Sequence, residues 1–156
     1  MKSKIYFEAF SNDKDKLIEF LDKTFEAVSK FKNFQVIDKK IADPITKDIK
    51  TPDGKTISGW SSYLEIYADF KDFDSLIDFI LFYTPSRIDI EDIKEMKIIT
   101  KDGEIKYNKE KINLLLNQIP QAINMKVSAV LNIYLAQVKK DFKGPDNQSL
   151  TNLKIK

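Results

Sequence analysis

The chain has 156 residues, of which 42% are hydrophobic and 32% are charged, a balance that suits one folded principal domain. Cysteine and histidine are both absent, which excludes disulfides, thiolate nucleophiles and imidazole bases. The net charge is only +2 and Arg87 is the single arginine, so we expect no specific nucleic-acid partner.

The first half of the chain predicts strands and helices in alternation. Residues 4–10 alternate as a strand, and residues 13–31 predict a helix that Ser11 or Asn12 caps. A second strand is predicted over residues 34–41. Residues 60–70 alternate most clearly and predict a third strand. Between these two strands, a turn within Ile45 to Ser58 predicts a projecting hairpin or a long loop: Thr51-Pro52-Asp53-Gly54.

The order of the predicted elements indicates the fold class. A second helix is predicted to start at Asp72 or Asp74, with an apolar stripe from Phe73 to Ile80 and an end before Pro85. A strand follows at Ile88 and Ile90. The order strand, helix, strand, strand, helix, strand is that of the split β-α-β arrangement. We therefore predict an α+β fold for residues 1–107, with a ferredoxin-like antiparallel sheet, a hairpin insertion and C-terminal helices. Lys101-Asp102-Gly103 predicts a second hairpin within it.

The last third of the chain predicts a helical extension over residues 108–143. Asn108 is suited to cap it, and Pro120 predicts a kink or a division into two helices. Gly144-Pro145 predicts its end, followed by a mobile tail over residues 144–156. Apolar residues recur at spacings of three and four: Ile112, Leu116, Ile119, Ile123, Val127, Val130, Tyr134 and Val138.

One acidic cluster with an arginine is the candidate ligand site. Arg87 has the planar fork that holds a carboxylate or phosphate, and Asp89 and Glu91 are near it in sequence. An ordinary surface ion pair explains the same residues. No spacing typical of a metal site is found, and we expect no cofactor. Tyr6, Tyr63 and Tyr67 share a sheet face with carboxylates, so we expect the C-terminal helices or another subunit to cover it.

A local pattern carries a resemblance to known proteins. From Tyr63 to Met96 a strand precedes a helix ending Phe79-Ile80-Leu81-Phe82-Tyr83, and then comes Thr84-Pro85-Ser86-Arg87-Ile88-Asp89-Ile90-Glu91. This run resembles the ferredoxin-like C-terminal extension of WYL-domain transcription regulators, and also small stand-alone archaeal proteins of unknown function. Thr84 replaces the usual glycine. The resemblance implies the fold and transfers no functional residue.

Three functions remain open at this point. The apolar stripe from Ile112 to Val138 exceeds what one small sheet requires, so we predict a non-enzymatic assembly module that forms homodimers. The alternatives are a small-ligand sensor and a carboxylate- or metal-dependent enzyme. With no membrane-length apolar run and no signal-peptide pattern in residues 1–7, we expect no membrane partner and a cytoplasmic location. The predicted interface residues are Val127, Val130, Leu131 and Tyr134.

Overall fold

The computed structural model describes residues 1–51 and 53–141, with side chains up to residue 135. The described residues form seven strands in antiparallel sheets and three helices, which is a mixed α+β fold. The chain divides into two units after Gln121. Pro52 of the predicted turn, the predicted stop at Gly144-Pro145 and the predicted mobile tail lie outside the described residues.

A five-stranded sheet forms most of the first unit. Its strand order is β2-β4-β1-β5, with β3 paired to the first part of the long strand β4, and every pairing is antiparallel. The helix α1 follows β1 and the helix α2 follows β4. These elements are β1 (Lys2–Ser11), α1 (Lys14–Val28), β2 (Phe34–Ile41), β3 (Ile45–Lys50), β4 (Thr56–Phe70), α2 (Phe73–Tyr83) and β5 (Arg87–Ile90).

Two further elements complete the described chain. A separate two-stranded sheet consists of β6 (Glu95–Thr100) and β7 (Gly103–Asn108), which confirms the second predicted hairpin. The helix α3 (Lys109–Asp141) follows at once, and the Asn108 side chain accepts a hydrogen bond from the Lys111 N–H at 2.9 Å. The sequence therefore predicts this helix start correctly.

The alternation of β4 separates a core face of the sheet from an open face. The even-numbered apolar residues of β4 from Leu64 to Phe70 are buried, whereas the odd-numbered residues from Tyr63 to Asp69 are not. Apolar residues of β1, α1 and α2 join the core face, and Phe79 of α2 stacks edge-on against Phe31 and Phe70 at 5.3 and 5.4 Å. The hydrophobic core thus lies on one side of the sheet.

The helix starts follow from capping carboxylates. Asp13 accepts hydrogen bonds from the N–H groups of Asp15 and Lys16 at 3.0 and 3.1 Å, so it caps α1 in place of the predicted Ser11 or Asn12. Ser11 instead accepts a bond from the Asp13 N–H. Asp72 caps α2, as one of the two predicted residues.

The helix α3 continues through Pro120, so the predicted division into two helices is wrong. A proline inside a helix deletes one main-chain hydrogen bond and costs about 3 kcal/mol. The Pro120 ring is buried in the first unit, and the apolar contact of the ring offsets part of that cost. The extension is therefore a single helix within the described residues.

A candidate interaction surface on the last helix

The start of α3 covers the outer edge of the sheet at β5. The Asn117 side chain accepts a hydrogen bond from the Ile88 N–H at 2.8 Å and donates one to the Ile88 carbonyl at 2.7 Å. The Asn113 side chain accepts a bond from the Ile90 N–H at 2.9 Å. These two amides take the place of a neighbouring strand, so the edge strand has no unpaired groups at Ile88.

Apolar residues beside those asparagines belong to the hydrophobic core. Ile112 and Leu116 are 2% and 3% exposed, and Ile119 packs against the same cluster. The stripe from Ile112 to Val138 predicts a contact with either the tyrosine-bearing face of the same sheet or a second copy. Ile112 and Leu116 contact neither of these, because they are part of the hydrophobic core of their own chain.

An 11-residue repeat runs along α3, and the sequence prediction missed it. The first repeat is Ile112–Ala122 and the second repeat is Ile123–Ile133. Eleven residues complete three turns at 3.67 residues per turn, so equivalent residues lie along one line of the helix. The equivalent pairs are Ile112 and Ile123, Asn113 and Asn124, Leu116 and Val127, Asn117 and Ser128, Ile119 and Val130, and Gln121 and Asn132.

The second repeat exposes the kinds of residue that the first repeat buries. The four predicted interface residues lie on this part of α3, and Met125 and Ile133 are also exposed. Val127, Val130, Leu131 and Tyr134 are 51%, 65%, 53% and 61% exposed. This segment is therefore an apolar helix surface open to solvent.

The candidate ligand residues lie on the open face of the sheet. The structure brings Arg87 and Asp89 together, with the Arg87 Nε 3.2 Å from Asp89 Oδ2. The Arg87 guanidinium also lies 4.0 Å from the centre of the Tyr6 ring, and the Tyr6 ring is 6.0 Å from that of Tyr63. Glu91 instead lies 4.0 Å from the Lys4 ammonium.

The Arg87 guanidinium already interacts with Asp89 and Tyr6 of its own chain. Burial lowers the pKa of Arg87, but a hydrogen bond with the Tyr6 side chain and the charge of Asp89 raise it, and the net pKa is raised above its ordinary value. The Arg87 side chain is still 56% exposed. The geometry is that of a partly exposed ion pair stacked on an aromatic ring.

Two observations concern the described part of the chain as a whole. No group of three acidic side chains there is arranged to hold a metal ion. None of its helices combines the length and the apolarity that crossing a bilayer requires.

Comparison with known proteins places the sheet in a family. No curated protein and no solved structure gives a significant match, and the resemblance to WYL-domain regulators has no support from these comparisons. The model of the MJ0538 family matches residues 2–106, about two thirds of the chain. The match includes the five-stranded sheet, α1, α2 and most of the β6–β7 hairpin, and it stops before α3. The chain belongs to the MJ0538 family.

Proposed function

We propose that the protein is a non-enzymatic assembly module that forms homodimers through the second repeat of α3. The observation that carries the proposal is the exposure of Val127, Val130 and Leu131 on a helix whose preceding repeat buries Ile112 and Leu116. Contiguous apolar patches on soluble proteins are typically interaction sites. A second copy is the simplest partner, because a two-fold dimer uses the same surface of both copies and forms each contact twice.

Four large apolar side chains share one face of α3. Val127, Val130, Leu131 and Tyr134 are 51–65% exposed and lie within about 100° of one another around the helix axis. At roughly 100 Å² of exposed surface each, they total on the order of 400 Å², half of the roughly 800 Å² that each partner buries in a standard interface. A dimer of standard size therefore needs further contacts beyond this face.

We further propose that the sheet is ferredoxin-like. The strand order β2-β4-β1-β5 supports this, as does the antiparallel pairing of each neighbour in that order. The positions of α1 after β1 and α2 after β4 agree with a split β-α-β arrangement. In this interpretation β3 and the start of β4 are the hairpin insertion.

Sedimentation of charge variants tests the homodimer. The double variant Val127→Lys, Leu131→Lys places two ammonium groups in the proposed interface, so it should be monomeric at concentrations where the wild type is a dimer. The matched control is Ala122→Lys, Ala129→Lys, which adds the same charge to exposed residues elsewhere around the same helix. The control should remain a dimer, and circular dichroism should show equal helix content in all three proteins.

Two results would contradict the proposal. A wild-type protein that sediments as a monomer at high micromolar concentration has no homodimer to explain. Equal loss of the dimer in the control variant would show that added charge, and not the second repeat, determines association.

A further inference from the structure

We infer that the second repeat of α3 is a binding site for the edge of a β-strand, and that its occupant is the free edge of β3 in a second copy. The inference rests on the proposed self-association and specifies its geometry. It predicts a contact between a helix and a strand edge, with side-chain amides bonded to the main chain of the partner.

The first repeat provides the precedent within the same helix. Asn113 and Asn117 bond the main chain of Ile88 and Ile90 at 2.7–2.9 Å, while Ile112 and Leu116 are buried beside them. The covering surface therefore has two components, an uncharged polar line and an adjacent apolar line. Both components are needed, since the strand edge is polar in the sheet plane and apolar on its core side.

The second repeat keeps both components in the same relative positions. Asn124, Ser128 and Asn132 continue the polar line of the first repeat at intervals of 11 residues, and Ile123 and Val127 continue the apolar line. Amide and hydroxyl groups both donate and accept hydrogen bonds, as main-chain N–H and C=O groups require. A purely apolar helix contact would bury these groups unpaired, at a cost of about 1–3 kcal/mol each.

The edge at β2 is protected against pairing. A β-bulge between Val36 and Asp38 shifts the register, so that Lys39 lies opposite the core residue Ile66. The Lys39 ammonium then lies 4.2 Å from the centre of the Phe25 ring and 3.3 Å from Asp22 of α1. A bulge and an inward-pointing lysine are two devices that keep edge strands from pairing.

The edge at β3 has the features that the second repeat would cover. Ile45 of β3 is 64% exposed, and Ile57, which pairs with Ile49, is 43% exposed. The Thr51 N–H donates to the Lys55 carbonyl at 2.8 Å, and antiparallel alternation from that bond directs the main-chain groups of Thr46 and Asp48 away from β4. These residues have the same two-residue spacing as Ile88 and Ile90.

Disulfide trapping tests the contact directly, because the chain has no cysteine of its own. Copies with Ser128→Cys are mixed with copies carrying Asp48→Cys and oxidised mildly, and mixed disulfides are quantified by mass spectrometry. The matched control pairs Ser128→Cys with Glu104→Cys on the exposed strand β7. We expect the mixed disulfide with Asp48→Cys to form at least about tenfold faster than the control.

The outcomes separate this inference from the proposed function. Fast disulfides between two Ser128→Cys copies, or equal rates for the two mixed pairs, would overturn the strand-edge contact and leave self-association standing. A wild-type protein that is monomeric would contradict both the strand-edge contact and the homodimer. A second measurement replaces Asn124 and Asn132 with alanine and should raise the dimer Kd about fivefold for each lost hydrogen-bonding side chain. An unchanged or lower Kd in a folded variant contradicts the inference.

Discussion

The two repeats of α3 place similar side chains in different surroundings. Ile112 and Leu116 of the first repeat are 2% and 3% exposed, whereas Val127, the equivalent of Leu116, is 51% exposed. The sheet belongs to the part of the chain that matches the family model, and that match ends at residue 106. The comparison shows that apolar periodicity predicts which residues share a helix face, while the neighbouring surface decides whether that face is buried or exposed.

The largest expected difference between the repeats is in the cost of removing an apolar side chain. Leu116→Ala should lower the free energy of unfolding by about 3 kcal/mol, because it leaves a cavity in a packed core. Val127→Ala, at the equivalent exposed position, should change it by less than about 0.5 kcal/mol at concentrations where the protein is monomeric. Urea denaturation at low micromolar concentration measures both. Similar losses for the two variants would show that the second repeat is intrinsic core.

The asparagines should differ in the same direction and by a smaller amount. Asn117→Ala removes both bonds to Ile88, so the main-chain N–H and C=O of Ile88 are left unpaired beside the core. The free energy of unfolding should fall by about 2 kcal/mol. Asn124→Ala, at the position equivalent to Asn113, should leave the stability of the monomer unchanged. Hydrogen exchange of the Ile88 amide gives a second readout, and this amide should exchange faster in Asn117→Ala alone. If the Asn117→Ala protein had wild-type stability and wild-type hydrogen exchange at Ile88, the asparagine side chains of α3 would not be what protects the edge of the sheet at β5.

Much of the sheet could be predicted because its signals are local. The clean alternation in β4 and the capping carboxylate of α2 identify a strand and a helix start without long-range information. The cap of α1 is predicted less well, since Asp13 takes the place of Ser11 or Asn12. The bonds from Asn113 and Asn117 to the main chain of β5 could not be predicted in this way. Asn113 and Asn117 acquire their role from β5, more than 20 residues earlier in the chain, and nothing in the helix pattern names that partner. The 11-residue repeat is a local signal of this role, but its meaning depends on the contacts that the first repeat makes with β5.

For the candidate ligand site, the sequence predicts which residues of β5 lie close together, but it does not predict the contact of Arg87 with Tyr6. Alternation within β5 places Arg87 and Asp89 on one face of the sheet, and the structure joins them at 3.2 Å. The sequence assigns Tyr6 only to an aromatic face of the sheet, yet Tyr6 stacks with Arg87 because the antiparallel register places the two residues opposite each other. The register between two strands that are distant in sequence depends on the whole sheet, so local patterns do not predict that Tyr6 pairs with Arg87.

The smallest expected effect concerns the carboxylate that caps α2, in comparison with the asparagine bonds at the sheet edge. The Asp72 carboxylate caps α2, and hydrogen bonds from the Ser75 hydroxyl and N–H lower the pKa of Asp72 below its ordinary value. A lowered pKa in the folded state stabilises the fold above the ordinary pKa and is lost as pH falls through the folded value. Asp72→Asn should therefore have a slightly lower Tm than the wild type near neutral pH, and this difference should shrink as pH falls below about 4. Asn117→Ala carries no titrating group at its site, so its Tm difference from the wild type should stay nearly constant over the same range. A Tm gap for Asp72→Asn that widens on acidification would reverse the sign of this linkage and show that the carboxylate is not a favourable cap.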